Sequence, residues 1–264
     1  FDALGIDENI FEQMAETFTS NFMIEGKTTT DLNEMLSRAP ESLLDVILET
    51  WEEEAPKLRA EKEKYVQELI LTSFQNEFIY LDKFDMETML RTMNGYPLSQ
   101  MQMLALEENY CKKGWVFMFC DVDGVQFVVP DEIREFTITN LETDKVQNIL
   151  GLIAAVRLSM RACLNLFGIV ERAKVEDIAL NQMLEYPSLS EEERKELEWL
   201  PEKLKETVDI LCERADGPFW CDKQWIISEQ FENEKEYRKF LRQVSGQEYY
   251  IPNQKEIKLY AENL

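Results

Sequence analysis

Residues Trp115–Pro130 read WVFMFCDVDGVQFVVP. Two runs rich in aromatic and β-branched residues flank an Asp-Gly step at Asp123-Gly124. That pattern predicts an antiparallel hairpin. The Asp121-Val122-Asp123-Gly124 turn puts Gly at position four, whereas an EF-hand calcium loop needs it at position six. Upstream, Gly114 stops a helix predicted over 98–112, opened by Pro97 and Ser99, with Met101, Leu104 and Ala105 inward. Before it, a helix over 85–93 ends at Asn94-Gly95. A longer helix over 65–82 carries Leu69, Ile70, Phe74, Phe78 and Leu81 at helical spacing.

Towards the N-terminus, Phe11, Met14, Phe18 and Phe22 predict a helix over 6–24. Asp31 and Glu34 have capping-box spacing. Leu32 and Leu36, then Leu43, Leu44, Ile47, Leu48 and Trp51, predict two helices divided at Ala39-Pro40. The charged stretch EEEAPKLRAEKEK, residues 52–64, is expected to be a solvated connection or exposed helix face. Beyond the hairpin the pattern predicts helix 145–167, a break at Gly168, and helices 174–185 and 190–214. Strand 218–228, helix 231–244 with Tyr237, Phe240, Leu241 and Val244 on one face, strand 248–252 and a last helix from 253 follow. The start at Phe1 and an amphipathic helix running to Leu264 suggest a piece of something longer.

Three helices followed by a hairpin is the element order of winged-helix domains, and residues 65–135 resemble that architecture in order and length. Cys111 to Asp121 and Cys212 to Asp222 both run cysteine, Gly-containing break, aromatic, cysteine, aspartate. Val128-Val129-Pro130 has a counterpart in Tyr250-Ile251-Pro252. These correspondences suggest that the unit is repeated within 145–257, with Phe119 and Trp220 equivalent. The expected fold is mainly α with small antiparallel β-hairpins. Two winged-helix-like units, 61–140 and 141–264, stand behind an N-terminal helical segment, 1–60. The resemblance implies an architecture that serves DNA binding and protein docking alike, and no particular activity.

The chain has 264 residues, 52 acidic and 28 basic, a formal net charge of −24, and no histidine. A hydrophobic content of 45% supports a large core and argues against disorder. The charge opposes DNA, RNA and anionic lipid and suits basic partners. The unbroken apolar run ILGLIAAV, residues 149–156, falls short of the ~20 residues that a bilayer demands, so no membrane is expected. Five cysteines without any C-x-x-C fit a reducing, cytoplasmic setting.

Little catalytic chemistry is visible. Cys111/Cys120 and Cys212/Cys221 are too widely spaced for the tight C-x₂₋₄-C of structural zinc, and they read as small core residues. Cysteine nucleophiles usually lean on a His base, and there is none. Consecutive acids such as Glu52, Glu53, Glu54 and Glu191, Glu192, Glu193 point about 100° apart on a helix and do not converge. The sequence lacks G-x-G-x-x-G, a phosphate-binding G-x-x-x-x-G-K-[ST] and H-E-x-x-H. No metal and no cofactor is therefore expected. Arg157 and Arg161 stand four apart on a largely apolar helix. They are expected to pair with carboxylates from other elements, or to form an anion or partner site. Trp225 and Tyr249, in strand-like runs, are candidate interface residues.

Three functions compete on these grounds. The leading expectation is a non-enzymatic cytosolic module that works by protein contacts. The second is a nucleic-acid-associated regulator using winged helices. The third is a carboxylate-based enzyme without histidine. Across 98–131, Glu107, Glu108, Asp121, Asp123 and Asp131 outnumber Lys112 and Lys113, so duplex binding by that segment is not expected.

Overall fold

A computed structural model describes residues 22–54, 56–122, 124–184, 197, 199–214, 217–244 and 250–262. The chain is mainly helical and divides into two compact units after Val146. The expected helix over 6–24 falls largely outside the described residues. Its end is a strand instead, β1 (Met23–Glu25).

In the first unit, α1 (Leu32–Arg38) and α2 (Glu41–Thr50) bury Leu32, Met35, Leu36, then Leu43, Leu44, Ile47 and Leu48. The Asp31 carboxylate accepts the Glu34 N–H at 2.7 Å and caps α1. Both helices join the core of α3 (Arg59–Glu77), where Val66, Ile70 and Phe74 repeat every four residues. From Leu32 onward, therefore, the helices expected to stand apart over 1–60 share the first unit's core.

The charged stretch before Tyr65 is more than a solvated connection. Arg59 donates to the Leu36 and Ala39 carbonyls, both at 2.8 Å, which closes the C-terminus of α1. It also pairs with Glu41 at 2.7 Å. Lys62 is buried and bonds Glu41 and Asp45, the latter at 2.8 Å. Burial of an ammonium is tolerated because both partners neutralise it.

The Lys62 hydrogen bond, with a second from Arg59, holds the Glu41 carboxyl below its ordinary range. A depressed carboxyl stabilises the fold above its unfolded pKa, and the effect is lost as pH falls through the folded value. Glu41 is about half exposed, so solvent screens the effect. Glu41→Gln should lower the midpoint of chemical unfolding at neutral pH. Below the carboxylate range the variant should match the parent. Equal midpoints at neutral pH would show that the pair contributes nothing.

α4 (Lys83–Met93) opens on a capping box between Asp82 and Asp85 and ends at Asn94-Gly95, with Gly95 at φ +65°. α5 (Gln100–Ala105) continues into a π-helical turn, Leu106–Tyr110. The predicted hairpin is β2 (Phe117–Asp121) and β3 (Gly124–Val128), antiparallel with Phe119 opposite Gln126. β1 pairs in parallel with β2, giving the order β1-β2-β3. Phe117, Met118 and Phe119 are all buried, as suits a central strand covered on both faces. α6 (Asp131–Leu141) starts after Pro130, and Thr30 ties its first residue to the loop before α1 (Oγ1 to Asp131 Oδ2, 2.6 Å).

The second unit opens on α7 (Asp144–Phe167), which buries Leu152, Ile153, Val156, Met160 and Cys163 among others. By length and composition it is apolar enough to cross a bilayer, as core helices of soluble proteins also are. Among the described residues it is the one such helix. Gly168, at φ +70°, turns the chain into β4 (Ile169–Glu171) and α8 (Arg172–Leu184). α9 (Leu200–Arg214), β5 (Phe219–Cys221), β6 (Trp225–Ser228), α10 (Glu234–Val244) and α11 (Gln254–Glu262) complete the order. Ser159 Oγ, buried in α7, accepts from Gln182 of α8 at 2.9 Å, and Gln254 of α11 donates to the Gln182 carbonyl at 3.0 Å. Polar side chains thus join three helices around the core.

The strand expected over 218–228 is a hairpin. Asp222 Oδ1 accepts the N–H groups of Gln224 and Trp225, at 2.8 and 2.7 Å, and so builds a turn inside the run. The strand expected over 248–252 is absent at 250–252, and 245–249 lie outside the described residues.

The proposed repeat is not met in its second strand: β5 pairs with Trp225–Ser228, and the counterpart expected for Val128-Val129-Pro130 at 250–252 is not a strand. The two hairpins do share a register relative to their turns, with Cys120 facing Val125 and Cys221 facing Ile226. The third strands differ as well. β1 runs parallel on the first hairpin strand, whereas β4 runs antiparallel on the second, in the order β4-β6-β5. Phe119 is buried while Trp220 is half-buried.

Candidate functional site

α5 turns its apolar side chains outward. Met101 is 72% exposed and Leu104 58%, contrary to the inward positions expected for them, while Gln102 is buried. The reason is local. The Gln102 side chain accepts the Ser99 N–H at 3.0 Å, and Ser99 Oγ accepts the Gln102 N–H at 3.2 Å. This capping box sets Gln102 on the inner face. Leu106 and Tyr110, at four-residue steps, continue that buried stripe. The π turn closes with the Cys111 N–H on the Leu106 carbonyl at 2.9 Å. Tyr110 bonds Asp85 of the α4 cap, which fixes the turn to α4. Burial first, then this bond, push the Tyr110 hydroxyl far above its usual range.

Met101 and Leu104 stand three apart and share one face. Met103 and, in the loop leading into α5, Tyr96 are exposed as well. Methionines suit a surface that adapts to a partner, and Tyr supplies rigid contact area. Contiguous exposed apolar groups of this kind mark interaction sites more often than isolated ones do.

The charges beside this face are already engaged. Lys112 pairs with Glu108 at 2.8 Å. Lys113 lies 4.0 Å from Glu77, with its ammonium 4.5 Å from the centre of the Trp115 ring. Glu107 is half-buried, and burial, then Glu108, hold its carboxyl above the ordinary range. Each lysine thus already has a carboxylate partner.

The other candidates do not converge on a site. Arg157 is half-buried. Arg161 is exposed and makes no ion pair among the described residues. Trp225 is half-buried and packs against Ile169, Ile227 and Tyr237. Tyr249 lies outside the described residues. Among the described residues no three Cys, Asp or Glu side chains gather as a metal-ligand set. Burial pushes the Cys163 thiol up to about 12 and the Cys111 thiol higher still, as core cysteines should behave.

Sequence reasoning missed the outward face of α5. The Ser99–Gln102 spacing was the signal that could have found it, because a capping box fixes which side of a short helix turns inward. Compared with protein-family models, curated proteins and solved structures, the chain finds no match in any of the three.

Proposed function

We propose that this chain is a non-enzymatic docking module. Its α5 face takes the apolar side of a basic, amphipathic segment of another protein. The observation that carries the reading is the exposure of Met101 and Leu104 on one face, beside lysines held by internal partners. The net charge of −24 favours a basic partner and opposes nucleic acid.

The winged-helix reading belongs to the same proposal. In the second unit the order α7, β4, α8, α9, β5, β6, with β4 on the second hairpin strand, supports it. In the first unit α3, α4 and α5 precede the hairpin without a strand after the first helix, and α5 is the third helix of that run. In DNA-binding relatives of the helix-turn-helix, that position is taken by the groove-reading helix. Here it presents methionine and leucine instead of arginine and lysine, which favours protein contact. Five cysteines, none in a disulfide, suit a reducing cytosolic setting.

The test is fluorescence anisotropy with a labelled amphipathic helical peptide, Lys on one face and Leu on the other. Its scrambled counterpart of equal charge is the control. The parent should bind the amphipathic peptide more tightly than the scrambled one. Met101→Glu with Leu104→Glu should weaken that binding about tenfold or more while the circular dichroism spectrum stays the same. Equal binding by parent and variant would sink the assignment of the face. A mixed DNA duplex should show no binding at ~150 mM salt. Micromolar binding with a steep salt slope would put the nucleic-acid reading in its place.

A further inference from the structure

Cys212 lies in the last turn of α9, Cys221 ends β5, and α9 packs against β5. The fold brings the two thiols together in a hydrogen bond. One arginine spans both supports. Arg172, the first residue of α8, donates to Asp209 Oδ1 at 2.9 Å, three residues before Cys212 on α9. Its other terminal nitrogen donates to the carbonyl of Asp222, next to Cys221. Its backbone N–H bonds the Gln224 carbonyl in the same hairpin turn, at 2.9 Å. The guanidinium is thus clamped between helix and hairpin.

Its Nε is buried and has no hydrogen-bond partner among the described residues. An orphaned buried donor is rare and calls for an explanation. Cys212 and Cys221, when ionised, would each place a negative charge near this guanidinium, besides that of Asp209.

We propose that Cys212 and Cys221 are a redox pair, which a peroxide closes reversibly to a disulfide linking α9 to β5. The two sulfurs are unequal. The hydrogen bond from Cys221, and then Arg172, lower the Cys212 thiol from its ordinary value against the opposing effects of burial, Asp209 and Glu213. Cys221 is raised by the same bond, by burial and by Asp222. Arg172, held by Asp209 three residues before Cys212, favours a thiolate there, so Cys212 is the attacking sulfur and Cys221 the resolving one. Cys111 and Cys163, raised by burial, have no such role.

The steps balance. The Cys212 thiolate gives an electron pair to a peroxide oxygen. The S–O bond forms, the O–O bond breaks, and the departing hydroxide takes a proton to leave as water. The Cys221 thiol then loses its proton, and its sulfur attacks the sulfenic sulfur. The S–S bond forms, the S–O bond breaks, and a second water leaves. The two sulfurs together lose two electrons, and hydrogen peroxide gains them. A dithiol reductant reverses the closure. Disulfides of this transient kind are the ones compatible with a reducing compartment.

The experiment treats the reduced full chain with hydrogen peroxide at neutral pH, then counts thiols under denaturing conditions and maps the peptides. The count should fall from five to three, with Cys212 linked to Cys221, and dithiothreitol should restore it. Cys221→Ser should stop at a sulfenic acid on Cys212 that a 1,3-dione traps, and Cys212→Ser should give neither product. Arg172→Met should slow closure about tenfold or more and move its pH profile upward. Arg172→Lys, which keeps the charge, should recover part of the rate. A full set of thiols after treatment, a link through any other cysteine, or an unchanged pH profile in Arg172→Met would overturn the assignment.

Discussion

Trp115→Ala is expected to cost the first unit about 3–5 kcal/mol, the range for emptying a large aromatic site in a packed core. Trp115 has no exposed surface. Phe74 meets it edge-on at 5.3 Å, Tyr110 stacks at 6.2 Å and Trp51 lies at 6.0 Å. Its indole N–H donates to Ser73 Oγ at 3.3 Å, and Ser73 is itself buried. Alanine would leave a cavity lined by three aromatic rings and a buried hydroxyl without its donor. These losses add, because the ring contacts come from α2, α3 and the π turn, which cannot all collapse inward together. Urea unfolding followed by far-ultraviolet circular dichroism measures the effect without relying on the missing fluorophore. A cost under about 1 kcal/mol would mean that the aromatic cluster does not organise this core.

Gly114→Ala is the second large effect. Gly114 has φ +74°, and a Cβ there would lie 2.6 Å from Ile70 Cδ1, 2.7 Å from Ile70 Cγ1 and 3.1 Å from Ile47 Cδ1. The left-handed backbone costs an alanine about 1–2 kcal/mol. Forcing two fully buried isoleucines aside adds about 1–3 kcal/mol. Gly95→Ala separates the two contributions. Gly95 has φ +65° and nothing within 4 Å of its added Cβ, so only the backbone part applies. Ile70→Val removes the Cδ1 that clashes. Combined with Gly114→Ala, it should recover part of the loss, a non-additivity that urea midpoints of the four proteins would reveal. If Gly95→Ala and Gly114→Ala cost the same, the contact with Ile70 carries no energy.

The disposition of α5 links these stability arguments to the proposed docking face. Trp115 and Tyr110 anchor the end of the π turn, and Gln102 anchors the start of α5. Met101 and Leu104 are outward because those inner positions are occupied. Replacements at Met101 and Leu104 should therefore change binding with little effect on folding, whereas replacements at Trp115 or Gly114 should act on the fold.

The sequence by itself determined which segments are helices and where most of them break. Four-residue apolar spacing marked α3, Asn94-Gly95 and Gly168 marked breaks, Asp31 marked a cap, and Asp123-Gly124 marked the first hairpin. These are local preferences, written in consecutive residues. The order of three helices followed by a hairpin in the first unit came from the same signals. What only the tertiary structure decided has partners far apart in the chain. β1 and β4 have three residues each, too few for an alternating pattern, and they are strands because β2 and β6 offer them unpaired edges. The run at 218–228 became a hairpin because Asp222 found two backbone donors and the hydroxyl of Tyr237, at 2.9 Å, across the fold. Lys62 lies inside a stretch that reads as solvated, because Glu41 and Asp45 meet it there. Cys212 and Cys221 read as two separate core residues. They became a facing pair only when α9 packed on β5 with Arg172 between their supports. Such meetings depend on burial and on hydrogen bonds between groups that no short stretch of chain contains, so packing settles them and local sequence cannot.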